Sequence, residues 1–338
     1  MSRYLTPVIT SVAALAFFVV FALFAGDFWV STVATRAMII GITALSLTML
    51  ASMTGLVSFA QAAVAAVAGY TVALLSVNTS GMGIALPLPV AVIAALAAGS
   101  LAGLLVGFIA LRSAGIYLLM ITLALSMSWF YFVSQNTTVF NGFDGVNGVR
   151  PPQAFGIDFS NKKAFFALTV ACSAACIAFC GWLERTPLGS AFHGLRNAPQ
   201  RMAALGHDTA RLRLVAFTMS GLIASVGGTL NVWYSGQVSP GSTDIHAAVA
   251  LLIVAVVGGM RRSMGAFVGA IFFVLLENFA SLLVGRDRFN LVIGAAFVLI
   301  VFCLPGGLIS LSRLPSLRFS FLGRHAPTPL VQTTKETS

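Results

Sequence analysis

The chain has 338 residues, 58% of them apolar and 8% charged, with a mean hydropathy of +0.97. An ordinary soluble domain carries roughly 25% charged residues, so this composition excludes a soluble globular enzyme, and its hydrophobicity excludes disorder except at the ends. The net charge of +10 comes from 19 Lys and Arg against 9 Asp and Glu; with the bases set between apolar runs and no basic face interleaved with aromatics, it describes membrane orientation rather than nucleic-acid binding.

The class that remains is an all-α polytopic membrane protein. A bilayer core needs about 20 apolar residues per helix. Charge-free runs, divided at glycine, proline and polar breaks, predict helices near 5–25, 37–54, 60–76, 88–110, 115–134, 164–183, 214–234, 247–260, 264–283 and 290–309. If the elements over 247–283 form a re-entrant pair, about 8–10 transmembrane helices result. The first run has Arg3 as its only leading charge and is long for a signal peptide, so it reads as a retained helix.

Loop charge sets the orientation. Residues 184–213 carry Arg185, Arg196, Arg201, Arg211 and Arg213 against Glu184 and Asp208, which places this loop in the cytoplasm. The tail, with Arg313, Arg318, Arg324 and Lys335 against Glu336, reads the same way, as a disordered cytoplasmic segment over 310–338. Residues 135–163 balance Arg150, Lys162 and Lys163 against Asp144 and Asp158 and suit the outside. Alternation then puts both termini, Arg112 and the pair Arg261 and Arg262 inside. Arg286 and Arg288, with Asp287 between them, fall outside against the rule. The domain layout is an N-terminal span and outside loop over 1–36, a transmembrane domain over 37–309, and the tail.

Cys172, Cys176 and Cys180 repeat every four residues on one helix face without nearby ligand partners, which fits packing and implies neither a metal nor a disulfide framework. Gly99, Gly103 and Gly107, and again Gly265 and Gly269, form stripes that let helix backbones approach closely. No G-x-x-x-x-G-K-[ST] phosphate loop is present, and the lysines are Lys162, Lys163 and Lys335. His193, His207, His246 and His325 form no metal pattern, and no G-x-S-x-G elbow exists. The chain therefore reads as a non-enzyme whose energy comes from an ion gradient or a partner. Glu277 is the one carboxylate inside a predicted span; such groups mark ion paths or are satisfied near the interface.

Three stretches rise above composition. Gly55 breaks a hydrophobic run, and Ser58 and Gln61, with Gly69 and Tyr70 beyond, follow on the next helix. A broken helix of this kind borders a substrate path or is a plain turn. Asn141, Gly142, Asp144, Gly145, Asn147 and Gly148 make tight outside turns suited to docking or gating, or to structure alone. In the basic loop, a helix-like run over 199–205 stops at Gly206. Leu195, Met202 and Leu205 there need cover, from a groove on a soluble partner or from the membrane surface.

In order along the chain, these residues resemble the branched-chain amino acid permease family of the LivM kind. The resemblance is carried by G-L-x-S-x-x-Q-A-A at 55–63, L-R-x-x-G-I-Y-x-x-x-x-T-L-A at 111–124, G-x-D-G-x-x-G at 142–148 and R-N-x-x-x-x-M-A-A-L-G-H at 196–207. The segments 214–221, 236–240 and 275–277 continue it. It implies an importer of leucine, isoleucine and valine across a bacterial inner membrane; relatives with similar motifs carry urea, short amides or other amino acids. It also implies a second homologous permease, two cytoplasmic ATPases that bind ATP and Mg²⁺, and a periplasmic solute-binding protein, with no cofactor on this chain. Leu195, Arg196, Asn197, Arg201, Met202, Leu205 and Gly206 become the ATPase-coupling residues. Gly55, Ser58, Gln61, Tyr70 and Glu277 become the path or gate. Two departures stand out: Met260 to Gly265 replace a glycine-rich turn, and Ala198, Pro199 and Gln200 stand where acidic residues are usual.

Overall fold

The computed structural model describes residues 29–76, 83–84, 86–154, 157–260 and 262–284, with isolated positions between 294 and 309. The first expected span, most of the last one, Arg261, the 286–288 charges and the tail lie outside the described residues.

Each main helix starts and stops where local chemistry requires it. A π-helical turn over Trp29–Ala34 leads into α1, Thr35–Thr54, which ends because Gly55 takes a left-handed conformation (φ 72°). α2, Gln61–Leu75, and α3, Leu88–Ala110, follow, the latter opening on Pro89 in its first turn. α4 is Ile116–Gln135 and α5 the single turn Thr137–Phe140. Asn161 caps α6, Lys162–Arg185, by accepting the Lys163 amide. Thr186 with Pro187 opens α7, Pro187–Asn197, and Pro199 opens α8, Pro199–Ala204. Asp208 accepts the amides of Ala210 and Arg211 to start α9, Thr209–Ser235, which stops at left-handed Gly236. Asp244 caps α10, Ile245–Gly258, and α11 is Ser263–Val284.

Every helix expected between 37 and 283 is present. Boundaries differ where charged residues were assigned to loops. Lys162 and Lys163 lie in the first turn of α6, and Arg211 and Arg213 in the first turns of α9. Among the described residues six helices are long and apolar enough to cross a membrane, while α2 and α10 are shorter. At 1.5 Å per residue they span roughly 21–23 Å, short of a core about 30 Å thick. Of the two elements over 247–283, α10 is shorter than a full span and α11 is full length, and α2 is a second short helix.

α1 and α9 form the centre of the bundle and are buried along most of their length. They run antiparallel: the Ser220 hydroxyl donates to the Ser46 carbonyl at 2.8 Å, and Gly227 packs on the backbone of Thr43. α9 also carries α2 and α3, while α1 carries α6, α10 and α11. The stripe Gly99, Gly103, Gly107 lies along Ser225, Gly221 and Phe217 of α9; a methyl at Gly103 would sit 2.6 Å from the Phe217 carbonyl oxygen. Gly265 and Gly269 of α11 meet Gly258 of α10 as closely. The apolar outer faces of α3 and α4 remain exposed, as a lipid-facing or partner-facing surface requires.

Candidate functional site

The two short helices share one construction. After Gly55 the chain turns back into the bundle. The Ser58 hydroxyl accepts the Ala60 amide at 3.2 Å, and the Phe59 amide donates to Thr122 Oγ1 of α4 at 3.1 Å. The Ser46 hydroxyl donates to Gln61 Oε1 at 3.3 Å, so α2 starts level with Ser46, roughly 13 Å along α1 from Gly55. After Gly236 the same happens from the other end. Val238 pairs with Val146, a 3-10 turn covers Pro240–Thr243, and the Ser126 hydroxyl donates to the Thr243 carbonyl at 3.4 Å. Thr122 and Ser126 are successive turns of α4, so both returning segments converge on its middle. The Asp244 carboxylate accepts the Ile245 amide at 2.6 Å and lies 3.0 Å from His246 Nδ1. The signal for this pairing was in the sequence and passed unread: Gly-x-Val-Ser occurs at 55–58 and again at 236–239.

Of the residues expected at a path or gate, Ser58, Gln61 and Tyr70 are inside the packed core. Ser58 and Gln61 hold the returning segment, and Tyr70 meets Phe140 edge-on at 5.3 Å between centroids. Gly55 is exposed at the turn itself. Glu277 is not a lone intramembrane acid: Arg36 Nη2 donates to its Oε1 at 2.7 Å. Arg36 immediately precedes the longest charge-free run and was not paired with Glu277 by any local pattern.

Each break is tied to a neighbouring segment. At the Gly55 end, Arg196 of α7 donates to the Ser52 carbonyl at 2.6 Å, and its side chain lies beside Gly55. α7 docks through buried Phe192 and Leu195, so Leu195 is covered by the chain itself. Met202 folds α8 against Gly194. Arg201, Leu205 and Gly206 remain exposed, with Leu205 at 77%, and Gly206 stops the run at φ 84°. Asn197 ends α7 and is exposed. Arg213 braces the same end by donating to the Leu111 carbonyl at 3.1 Å.

At the Gly236 end, the loop after α5 performs the tie. Asn141 is left-handed and donates from Nδ2 to the Gly145 carbonyl at 3.0 Å; Asn147 donates likewise to the Asp144 carbonyl at 3.1 Å. Gly142, Gly145 and Gly148 all have positive φ. Val146–Asn147 pairs antiparallel with Gln237–Val238, and the Val149 amide donates to the Gly236 carbonyl at 2.9 Å. Phe143 stands out from this loop, exposed.

Between α1, α2, α9 and α10 lies a cavity of about 280 Å³ with Arg36 in its wall. Among the described residues no group of three or more His, Cys, Asp or Glu is placed to hold a metal.

A family model described as branched-chain amino acid transport system, permease component, matches residues 29–301. The high-affinity branched-chain amino acid transport system permease protein LivM of Escherichia coli strain K12 is 30% identical over 313 residues, covering 85% of this chain and 71% of that protein. The LivM protein of Salmonella typhimurium strain LT2 is 29% identical with the same coverage. No solved structure matches the chain.

Proposed function

The chain belongs to the family of permease components of branched-chain amino acid transport systems, and on that premise we propose that it builds the translocation path of an ATP-driven importer for leucine, isoleucine and valine. It is a multi-pass membrane protein, with six helices among the described residues long enough to span. In this reading the membrane is a bacterial inner membrane, the α7–α8 end faces the cytoplasm, and the 141–148 loop faces the periplasm. The clustering of Arg112, Arg196, Arg201, Arg211 and Arg213 at the α7–α8 end supports that orientation. A second, similar permease pairs with this one, a solute-binding protein delivers the amino acid, and two ATPase subunits bind ATP and Mg²⁺. This chain hydrolyses nothing.

The observation that carries the reading is the α7–α8 pair: seated on its own bundle through Leu195, tied to α1 through Arg196, and presenting Arg201 and Leu205 outward. Closure of the ATPases pushes this pair. Arg196 passes the displacement to Ser52, and Gly55, free of a side chain and already left-handed, absorbs the rotation as a hinge. The segment 55–60 then shifts against Thr122 of α4, where the second returning segment also arrives, and the path opens at one end as it closes at the other.

The test is ATP-dependent uptake of labelled leucine into liposomes holding this chain with its partner subunits. Uptake blocked by isoleucine and valine supports the reading. Uptake by this chain alone, driven by a proton gradient, overturns it. The double variant Arg201→Glu, Leu205→Glu is expected to lose the co-purifying ATPases while keeping its fold, because both side chains are exposed.

A further inference from the structure

We propose that the cleft between α1, α2, α9 and α10 is itself a weak binding site for a zwitterionic aliphatic α-amino acid, with the carboxylate on Arg36 and the ammonium group on the Asn231 carboxamide oxygen. The inference deepens the import reading by placing a substrate site inside this one subunit.

Size comes first. The cleft of about 280 Å³ holds roughly nine water-sized groups at about 30 Å³ each, which fits a leucine-sized molecule. The space exists because α2 lines it with Ala62, Ala65 and Ala66, and because Gly69 and Gly228 let α2 and α9 meet at its edge.

The chemistry of the walls is divided. Arg36 opens α1, and Asn231 lies about one turn before the end of α9. The two helices are antiparallel, so these polar groups share one end of the cleft. Beyond them the wall turns aliphatic and aromatic, with Ile39, Ile40, Leu251, Val254 and Phe273. A guanidinium has five N–H donors, and the Arg36–Glu277 bond engages one of them. That bond fixes the guanidinium in place, and the carboxylate cancels its charge. The site therefore carries no net charge, which suits a zwitterion and disfavours an acidic or a cationic ligand. One polar end and one apolar end also orient the ligand, as in small-molecule sites generally. Weak binding is what a path requires, because a tightly held solute would not leave.

The test uses the full chain in lipid nanodiscs, without the binding protein. Labelled leucine is titrated against competing isoleucine, valine, glutamate and isopentylamine, which lacks the carboxylate. Saturable binding competed by isoleucine and valine, but not by glutamate or isopentylamine, is expected. Arg36→Met and the cleft-filling Ala250→Phe are each expected to weaken it at least tenfold. A diazirine analogue of leucine, photolysed on the unaltered chain, is expected to label peptides of the helices that line the cleft, α1, α2, α9, α10 or α11; this readout does not depend on any variant folding. Absence of saturable binding, equal binding by both variants, or labelling confined to other helices would overturn the site. ATP-dependent uptake by the assembled transporter is measured separately. Uptake without cleft binding removes the site and leaves the import reading; cleft binding without uptake does the reverse.

Discussion

Arg196 and Ser52 belong to segments 144 residues apart, yet the guanidinium of the first donates a 2.6 Å bond to the carbonyl of the second. The Ser52 carbonyl sits in the last turn of α1, where helix carbonyls lose their internal partners and a cation is favourable. The bond therefore does for the end of α1 what a capping residue would do locally. It also fastens α7 directly to the Gly55 break.

Arg196→Ala is expected to keep the fold, since Phe192 and Leu195 still seat α7, but to disconnect ATP hydrolysis from transport. ATPase activity of the assembled transporter should persist while leucine uptake falls at least fivefold. Arg196→Lys should restore part of the uptake, because a lysine reaches one carbonyl without the planar fork. Uptake and hydrolysis falling in parallel would move the coupling elsewhere.

Gly103 tests the central packing. A methyl there meets the Phe217 carbonyl oxygen at 2.6 Å, and neither backbone can yield without separating α3 from α9. Overpacking of this kind costs about 1–3 kcal/mol. Gly103→Ala should lower the melting temperature of the detergent-solubilised protein by several degrees. Gly107→Ala, against the Phe217 side chain rather than backbone, should cost less. The order of the two melting points checks the helix register.

The ion pair gives a sharp contrast between energy sources. Glu277→Gln keeps the volume and a hydrogen-bonding oxygen for Arg36 while removing the titratable group. In an ATP-driven importer the variant should transport leucine within about threefold of the parent and remain indifferent to a protonophore. The exchange Arg36→Glu with Glu277→Arg should recover any stability the single change loses. If Glu277→Gln abolished a proton-dependent flux, the carboxylate would be a coupling group.

Gly145 is held at φ 66°, and a side chain there would run into the Val238 carbonyl. Strain at such a position costs about 1–3 kcal/mol. Gly145→Ala should unzip Val146–Asn147 from Gln237–Val238. The expected readout is loss of binding-protein stimulation of ATP hydrolysis, with basal hydrolysis retained. Phe143→Ala, which leaves the loop's turns intact, separates the effect of an exposed contact from that of loop geometry.

The legible part of this protein was what depends on local pattern. Hydropathy located eight helices to within a few residues, because each must present a long apolar surface. Gly55, Gly206 and the 142–148 glycines announced their turns because left-handed backbone needs them. The stripe at Gly99, Gly103 and Gly107 announced a close helix contact but not its partner. What depends on distant pairing was hidden. Nothing local joins Arg36 to Glu277 or Arg196 to Ser52, and the side chain of Leu195 reads as exposed until α7 is seen lying on α1. Ser58 and Gln61 were readable as polar residues at a break, but not as the groups that secure its buried side. The cleft owes its space to alanines and glycines from three helices, α2, α9 and α10, and an absence of side chains leaves no motif.

The Arg36–Glu277 pair also sets a clock on biogenesis. The two residues are 241 positions apart, and at about 5–20 residues per second a ribosome needs roughly 10–50 s to reach the second after the first. For that interval the leading half of the chain is in the translocon with its arginine unmatched, and with the face of α1 that α11 covers open to any neighbour. Nascent chains truncated before 277 should therefore be preferred substrates for membrane quality-control proteases, and pausing of translation between the halves should lower the yield of assembled protein.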